Sequence, residues 1–366
     1  MRTDLCDRLG IEHPIVGFTP SEHVAAAISR AGGLGVLGAV RYNDPAGLAA
    51  ALDWMDANTD GRPYGVDVVM PMKAPTEGSI GDLSALVPPG HRDFVEKTLH
   101  ELGVPPLPVS ENGDSDGVLG WLHSVARAHV EIALEHRPAL IANALGSPPA
   151  DVIAQAHDRG ILVAALAGRV DHARRQVADG VDIVVAQGSE AGGHTGEIGS
   201  MVLLPEIVDA VGDRVPVLGA GGIGSGRQLV AALALGAAGV WMGSTWLLTT
   251  EYASGMPGQT AVSQALLDAS SADTVRARIY SGKMARLVKS KWTEAWAAPD
   301  APDPLPMPLQ NLLVGEAHRR IAAANDPQVV AMPAGQIIGR FDTLRPVADV
   351  IADIVAEAET TRARLT

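Results

Sequence analysis

The run AQGSEAGGHTGE, residues 186 to 197, sets Gln187, Glu190 and His194 among Gly188, Gly192, Gly193 and Gly196. Glycine costs conformational entropy on folding, so a cluster of it beside polar groups implies that something approaches the main chain closely. Near neutrality a histidine can accept a substrate proton or donate one to developing negative charge. A lone His194 suits a hydrogen-bonded structural role as well; its glycine surroundings weigh toward the reactive one. Glu190 reads as an orienting or capping group. A metal site is not expected, because no other His, Cys or carboxylate stands at ligand spacing.

A second group of glycines, GAGGIGSG from 219, and the run MGST from 242 follow apolar stretches. The first satisfies G-x-G-x-x-G, which raises a dinucleotide-binding turn, but that fingerprint belongs in a first βαβ unit with an acid about 20 residues on. Here it follows a seventh strand. In a (β/α)₈ barrel the loops after strands seven and eight commonly hold a phosphate on backbone N–H groups and a helix start. Gly221, Gly222, Gly243, Ser244 and Thr245 are the expected contacts; the alternative is that these glycines only serve tight turns.

The elements that would carry these loops recur as apolar strands followed by helices. Strand-like runs fall at 14–18, 34–39, 64–71, 139–143, 161–166, 181–187, 215–220 and 239–244. Several are continuous rather than alternating, as strands covered on both faces require. Ser21 is positioned to cap the helix after the first, and Asp44 with Pro45 the helix after the second. Eight strands alternating with helices predict a single-domain TIM barrel over 1–366, with a doubly wound sheet as the other architecture. Two segments exceed the plain barrel. Residues 72–125, after strand three, form an inserted segment on the catalytic face that reads as a lid or as a surface excursion. Residues 251–335 form a second excursion, covering the active face after strand eight. Within it Trp292 and Trp296 either gate the site or pack a core, and Lys283 either binds a substrate anion or is solvated.

Composition narrows the functional classes. The chain has 366 residues, 47% hydrophobic, with 42 acidic against 28 basic residues and a formal net charge of −14. An acidic surface repels phosphate backbones and anionic lipid, so neither nucleic acid nor a membrane is an expected partner. The single cysteine, Cys6, excludes an internal disulfide. No signal-like N-terminus or long apolar span is present, and a cytoplasmic enzyme acting on a small molecule is expected.

The stretch from Ala186 to Glu251, together with AISRAGGLGVLGA near the start, resembles the nitronate monooxygenases, formerly 2-nitropropane dioxygenases. The flavin-dependent enoyl-acyl-carrier-protein reductases share the pattern. The resemblance continues through SGKMARLVKSKWTEAW, PLPMPLQ and PAGQ, and leaves out the 72–125 insertion. It implies FMN, with its phosphate at Gly221, Gly222, Gly243, Ser244 and Thr245 and its ring near Gln187, Gly192 and Gly193. It makes His194 the catalytic residue and puts Asp67, where relatives often carry Asn, beside the flavin. Gly17 and Phe18 stand where relatives line the flavin with Pro-Met, and by the same resemblance Gln336 of PAGQ reaches back to the site; Lys283 remains the other substrate-side candidate. Two activities are consistent with it. One is oxidation of nitronates or nitroalkanes with O₂ to a carbonyl compound and nitrite. The other is NAD(P)H-dependent reduction of enoyl thioesters or quinones through the flavin. A phosphate-binding barrel without redox chemistry is the third reading.

Overall fold

Short runs rich in Val, Ile, Leu, Ala and Gly supply the parallel strands in the computed structural model, which describes residues 1–42, 44–70, 80–108, 123–256 and 260–365. They are β1 Ile15–Thr19, β2 Leu34–Gly38, β3 Tyr64–Val68, β4 Leu140–Asn143, β5 Leu162–Ala167 and β6 Ile183–Gln187. After the two-residue β7, Gly193–His194, come β8 Val217–Ala220 and β9 Gly239–Met242. Strands β1 to β6, β8 and β9 close into an eight-stranded barrel in which Val16 of β1 pairs with Trp241 of β9. Closure replaces the doubly wound alternative.

Alternation sorts these apolar runs into two layers. Val16, Val36, Ala142, Ala164, Val185 and Leu218 fill the barrel interior, and Leu5, Cys6 and Leu9 of the helix Asp4–Leu9 join the same cluster. That helix closes the N-terminal end, where a Cβ on Gly239 would lie 2.9 Å from Leu5 Cδ2. Val66, Val68, Ile141, Val163 and Ala165 face outward onto helices. The runs are apolar throughout because both faces are covered.

Of the two helix starts expected from Ser21 and Asp44, one forms its capping bond. Asp44 Oδ1 accepts from the Gly47 amide at 2.7 Å at the head of Pro45–Asn58. Ser21 occupies the N-cap of Glu22–Arg30, yet its hydroxyl makes no capping bond. Instead its amide donates to Thr19 Oγ1 at 3.2 Å, so the strand's last hydroxyl organises this turn.

Of the expected lid over 72–125, residues 72–79 and 109–122 lie outside the described residues. Its helix Pro89–Glu101 contributes Val95 and Leu99 to an apolar cluster with Trp292, Trp296, Leu313 and Ile321 from the second excursion. The two tryptophans meet edge to face at 6.0 Å inside this cluster and are core residues. Buried Arg320, in the helix Leu309–Ala324, seals the contact by donating to the carbonyls of Pro105 and Val104 at 3.1 and 3.2 Å and to Glu96 at 2.8 Å. The second excursion also forms an antiparallel hairpin, β10 Thr274–Ala277 and β11 Ala285–Val288, which joins β7 in a three-stranded sheet. The last helix, Val347–Leu365, packs on Gly226–Ala234 so closely that a Cβ on Gly226 would stand 2.3 Å from Ala358 N.

Candidate active site

His194 leaves the barrel just after β6 and is fixed from outside it. In the three-stranded sheet Ala285 of β11 lies opposite His194, and Arg286 opposite Gly193. The buried guanidinium of Arg286 donates from Nε and Nη2 to the Ser189 carbonyl at 3.0 and 2.8 Å, and from Nη1 to Thr274 Oγ1 at 2.8 Å. Arg276, its cross-strand neighbour, donates to the Gly196 carbonyl at 2.8 Å. Two arginines thereby hold both ends of the loop that presents the histidine. Charged donors of this kind are the stronger class of hydrogen bond.

The His194 ring is half-buried, with Nε2 2.5 Å from Ser281 Oγ. Burial, and after it the charge of Lys283, depress its pKa to about 4. At neutral pH the ring is therefore an uncharged imidazole beside an ammonium group. It faces a cavity of about 490 Å³ lined also by Gln187, Leu166, Arg175, Lys283 and Met284. This cavity opens at the C-terminal ends of β4, β5 and β6, the face on which barrel enzymes build their sites.

The turns after β8 and β9 bring glycines, hydroxyls and a helix start together. Gly221 and Gly222 take consecutive left-handed conformations, φ +97° and +69°, before Ser225 caps the helix Gly226–Ala234. The amides of Gly222 and Ile223 have no hydrogen-bond partner among the described residues. Beside them, Thr245 Oγ1 lies 3.5 Å from the Ile223 carbonyl, and Ser244 Oγ accepts from the Gly335 amide at 2.8 Å, keeping its own proton to donate. A Cβ built on Gly243 would meet nothing nearer than Phe18 Cδ1 at 3.9 Å, so space opens there. Amides, hydroxyls and a helix start suit an anion such as phosphate.

Other glycines have a different reason. A Cβ on Gly192 would stand 2.7 Å from the backbone of Ala334 and Gly335, so the turn around 333–336 is what comes close to the main chain here. Gly193, at φ +73°, has only Pro333 Cβ at 4.0 Å. The Gln336 amide donates to the Glu190 carbonyl at 2.9 Å, and Gln336 borders a second cavity of about 350 Å³ with Gly221 and Gly222 rather than the His194 cavity. The Glu190 carboxylate accepts from Ser200 N at 3.0 Å and Ser200 Oγ at 2.9 Å, capping Ser200–Val211.

At the barrel mouth Phe18 stacks on Trp241 with ring centroids 6.4 Å apart. A Cβ on Gly17 would collide with Ile28 at 2.5 Å and Trp246 at 2.7 Å, so this glycine serves helix packing. Asp67 is buried at the end of β3, on the strand face shared with Gly65 that turns inward. Burial pushes its pKa up to about 7, against a hydrogen bond from the Ala144 amide. Among the sequence candidates, the structure thus gathers Gln187, His194 and Lys283 around one cavity, and Gly221, Gly222 and Gln336 around another. The residues that sequence reasoning missed are Ser281, Arg276, Arg286 and the cavity-lining Arg169, His172 and Arg175. An arginine inside the apolar run ARLV, and cations at three-residue steps after the fifth strand, are the signals that could have found them.

The fold is a (β/α)₈ barrel with glycine-rich turns after its last two barrel strands. Residues 2–357 match the nitronate monooxygenase family. A Mycobacterium tuberculosis protein described as a candidate monooxygenase is 47% identical over 367 residues, covering 98% of this chain and 96% of that one. Among solved structures, a nitroalkane oxidase of Streptomyces ansochromogenes aligns with a TM-score of 0.81 at 28% identity, covering 99% of both chains. FabK of Thermotoga maritima aligns with a TM-score of 0.74 at 27% identity, over 100% of this chain and 98% of that one. The chain belongs to the nitronate monooxygenase family and is an oxidoreductase. No helix among the described residues is long and apolar enough to cross a membrane.

Proposed function

We propose that the protein is an FMN-dependent monooxygenase that oxidises small alkyl nitronates with O₂ to a carbonyl compound and nitrite. The observation that carries this reading is the neutral His194 set beside Lys283 at a walled cavity. A ring whose conjugate acid titrates near 4 is a weak base toward a neutral nitroalkane. It suits a substrate that arrives already ionised, a nitronate, whose negative charge Lys283 attracts and whose docking strengthens the histidine's hold on a proton. Ser281, at 2.5 Å from Nε2, fixes the ring plane.

The turns after β8 and β9 fit the phosphate of FMN: the amides of Gly222 and Ile223, the open side of Gly243 and the hydroxyls of Ser244 and Thr245 are the groups that would hold it. Gln187, Gly193, Phe18 and Asp67 are the groups that would lie near the ring. When bound, the flavin supplies electron acceptance and reactivity toward O₂. Asp67 retains its proton below about pH 7 and so offers a donor as well as an acceptor at the barrel mouth.

Anaerobic mixing of the purified yellow protein with preformed ethyl nitronate is expected to bleach the oxidised-flavin absorbance, and nitrite is expected once O₂ is admitted. Bleaching by NADH or NADPH but not by the nitronate would replace this reading with the reductase one. A preparation without a flavin spectrum, and unable to take up added FMN, would remove the cofactor assignment.

A further inference from the structure

The segment PLPMPLQ, residues 304–310, takes no part in the function proposed above, yet it bears on the turn that carries Ser281 and Lys283. That turn is the tip of the β10–β11 hairpin, between Ala277 and Ala285, and the Gly282 amide closes it on the Arg278 carbonyl at 2.8 Å. Gly282 has φ +87°, and a Cβ there would stand 2.4 Å from both Leu305 O and Met307 N. The main chain of 305–307 therefore lies directly against the tip. Pro304, Pro306 and Pro308 fix φ at alternate positions of this strap and limit its freedom to give way.

Gln310 joins strap to tip. Its side chain is fully buried; Oε1 accepts from the Leu305 amide at 2.9 Å and Nε2 donates to the Ile279 carbonyl at 2.9 Å. A main-chain donor on one side and a carbonyl on the other leave this amide one orientation. Burying it would be costly without both bonds, and neither serves the helix Leu309–Ala324 in whose first turn Gln310 stands, since both partners lie outside it. Two residues beyond Ile279, the fully buried Ser281 accepts from the Lys283 amide at 3.3 Å and meets His194 Nε2 at 2.5 Å. A shift of the tip by about 1 Å takes that contact to the limit of a hydrogen bond. We propose that Gln310 is a positioning residue for the reaction: through the Ile279 carbonyl it holds the hairpin tip where Ser281 meets His194, so that the ring keeps one orientation toward its cavity. The inference rests on His194 as the reacting group.

Imidazole NMR signals of the purified holoprotein test it, with those of His194 identified by their loss in His194→Asn. In Gln310→Leu, which keeps the bulk and removes both bonds, we expect the His194 signals to shift and its titration to rise from about 4 by about one pH unit as the tip loosens and the ring gains water. Turnover of ethyl nitronate should fall about tenfold in kcat with KM changed less than about threefold, because Lys283 reaches the cavity on a flexible stem. Gln310→Glu, whose buried carboxyl favours the protonated form, keeps a donor and an acceptor and should restore most of both readouts. Ile321→Ala, in the same helix and apolar cluster but about 16 Å along the axis from Gln310, should lower the urea midpoint and leave the His194 signals in place. The proposal is overturned if the His194 signals of Gln310→Leu match the parent's, or if Ile321→Ala moves them as far. Should Gln310→Leu not fold, Gln310→Asn, one methylene shorter and able to make at most one of the two bonds, takes its place with the same outcomes. The NMR readout needs no substrate, so a parent that does not turn over the nitronate would sink the function proposed above and leave this test standing.

Discussion

His194 acts, in this reading, as an uncharged ring whose environment resists protonation until an anion docks. Replacing it with Asn keeps the approximate size and removes the titrating nitrogen; turnover of the nitronate should fall by about 10²–10⁴ with flavin content retained. An unchanged rate would move the proton chemistry elsewhere. Two glycines test the cofactor placement proposed above against chain packing. Gly243→Ala puts a methyl where the nearest protein atom is 3.9 Å away, so the fold should persist while FMN occupancy drops. Gly192→Ala drives a methyl to 2.7 Å from the Ala334–Gly335 backbone, and should cost about 1–3 kcal/mol by urea unfolding. Equal loss of stability in both variants would contradict the distinction.

At the level of elements, the barrel supplies the floor of the site and the hairpin β10–β11 supplies its clamp. The loop that carries His194 has little regular structure of its own: β7 is two residues long and depends on β11 for its pairing. Arg286→Ala removes three hydrogen bonds and leaves the Ser189 carbonyl without its donors. We expect a loss of roughly 2–4 kcal/mol and faster amide exchange confined at first to residues 189–196, with Arg286→Lys recovering part of both. Uniform exchange throughout the barrel would show that the arginine supports the whole molecule rather than this loop. Arg320 plays the comparable role between the two excursions, tying a helix of the insertion to one more than 200 residues later.

The whole molecule should be sensitive to acid, for reasons that can be assigned. His194 and His318 are both depressed to about 4 by burial, His318 beneath the ring of Tyr280 at 5.1 Å. Below about pH 6.5 the unfolded chain binds protons that these folded rings refuse, so their contribution to stability falls as pH drops from there toward 4. Asp67 works in the opposite direction, because its folded carboxyl stays protonated up to about pH 7 while the unfolded one ionises near 4. His318→Phe keeps a stacking ring and removes one titration. Its urea midpoint, followed from pH 7 to pH 4.5, should fall less steeply than the parent's, by about 1.4 kcal/mol per pH unit at most. Parallel curves would mean that the ring titrates normally in the fold. Much of the architecture was legible in the chain: eight apolar runs with helical partners, the glycine turns after the last two, and the capping Asp44. Each is a pattern within a few neighbouring residues, where strand alternation, helix period and turn chemistry act locally. The sequence alone likewise singled out His194 and Lys283. Only the tertiary structure decided that Gly192 yields to the 333–336 turn, that β7 borrows its pairing from a hairpin some ninety residues on, and that the insertion and the later excursion share one apolar cluster. Those contacts join segments far apart in sequence and strands of two to four residues, too short to carry a period, so nothing local encodes them until barrel closure brings the segments together.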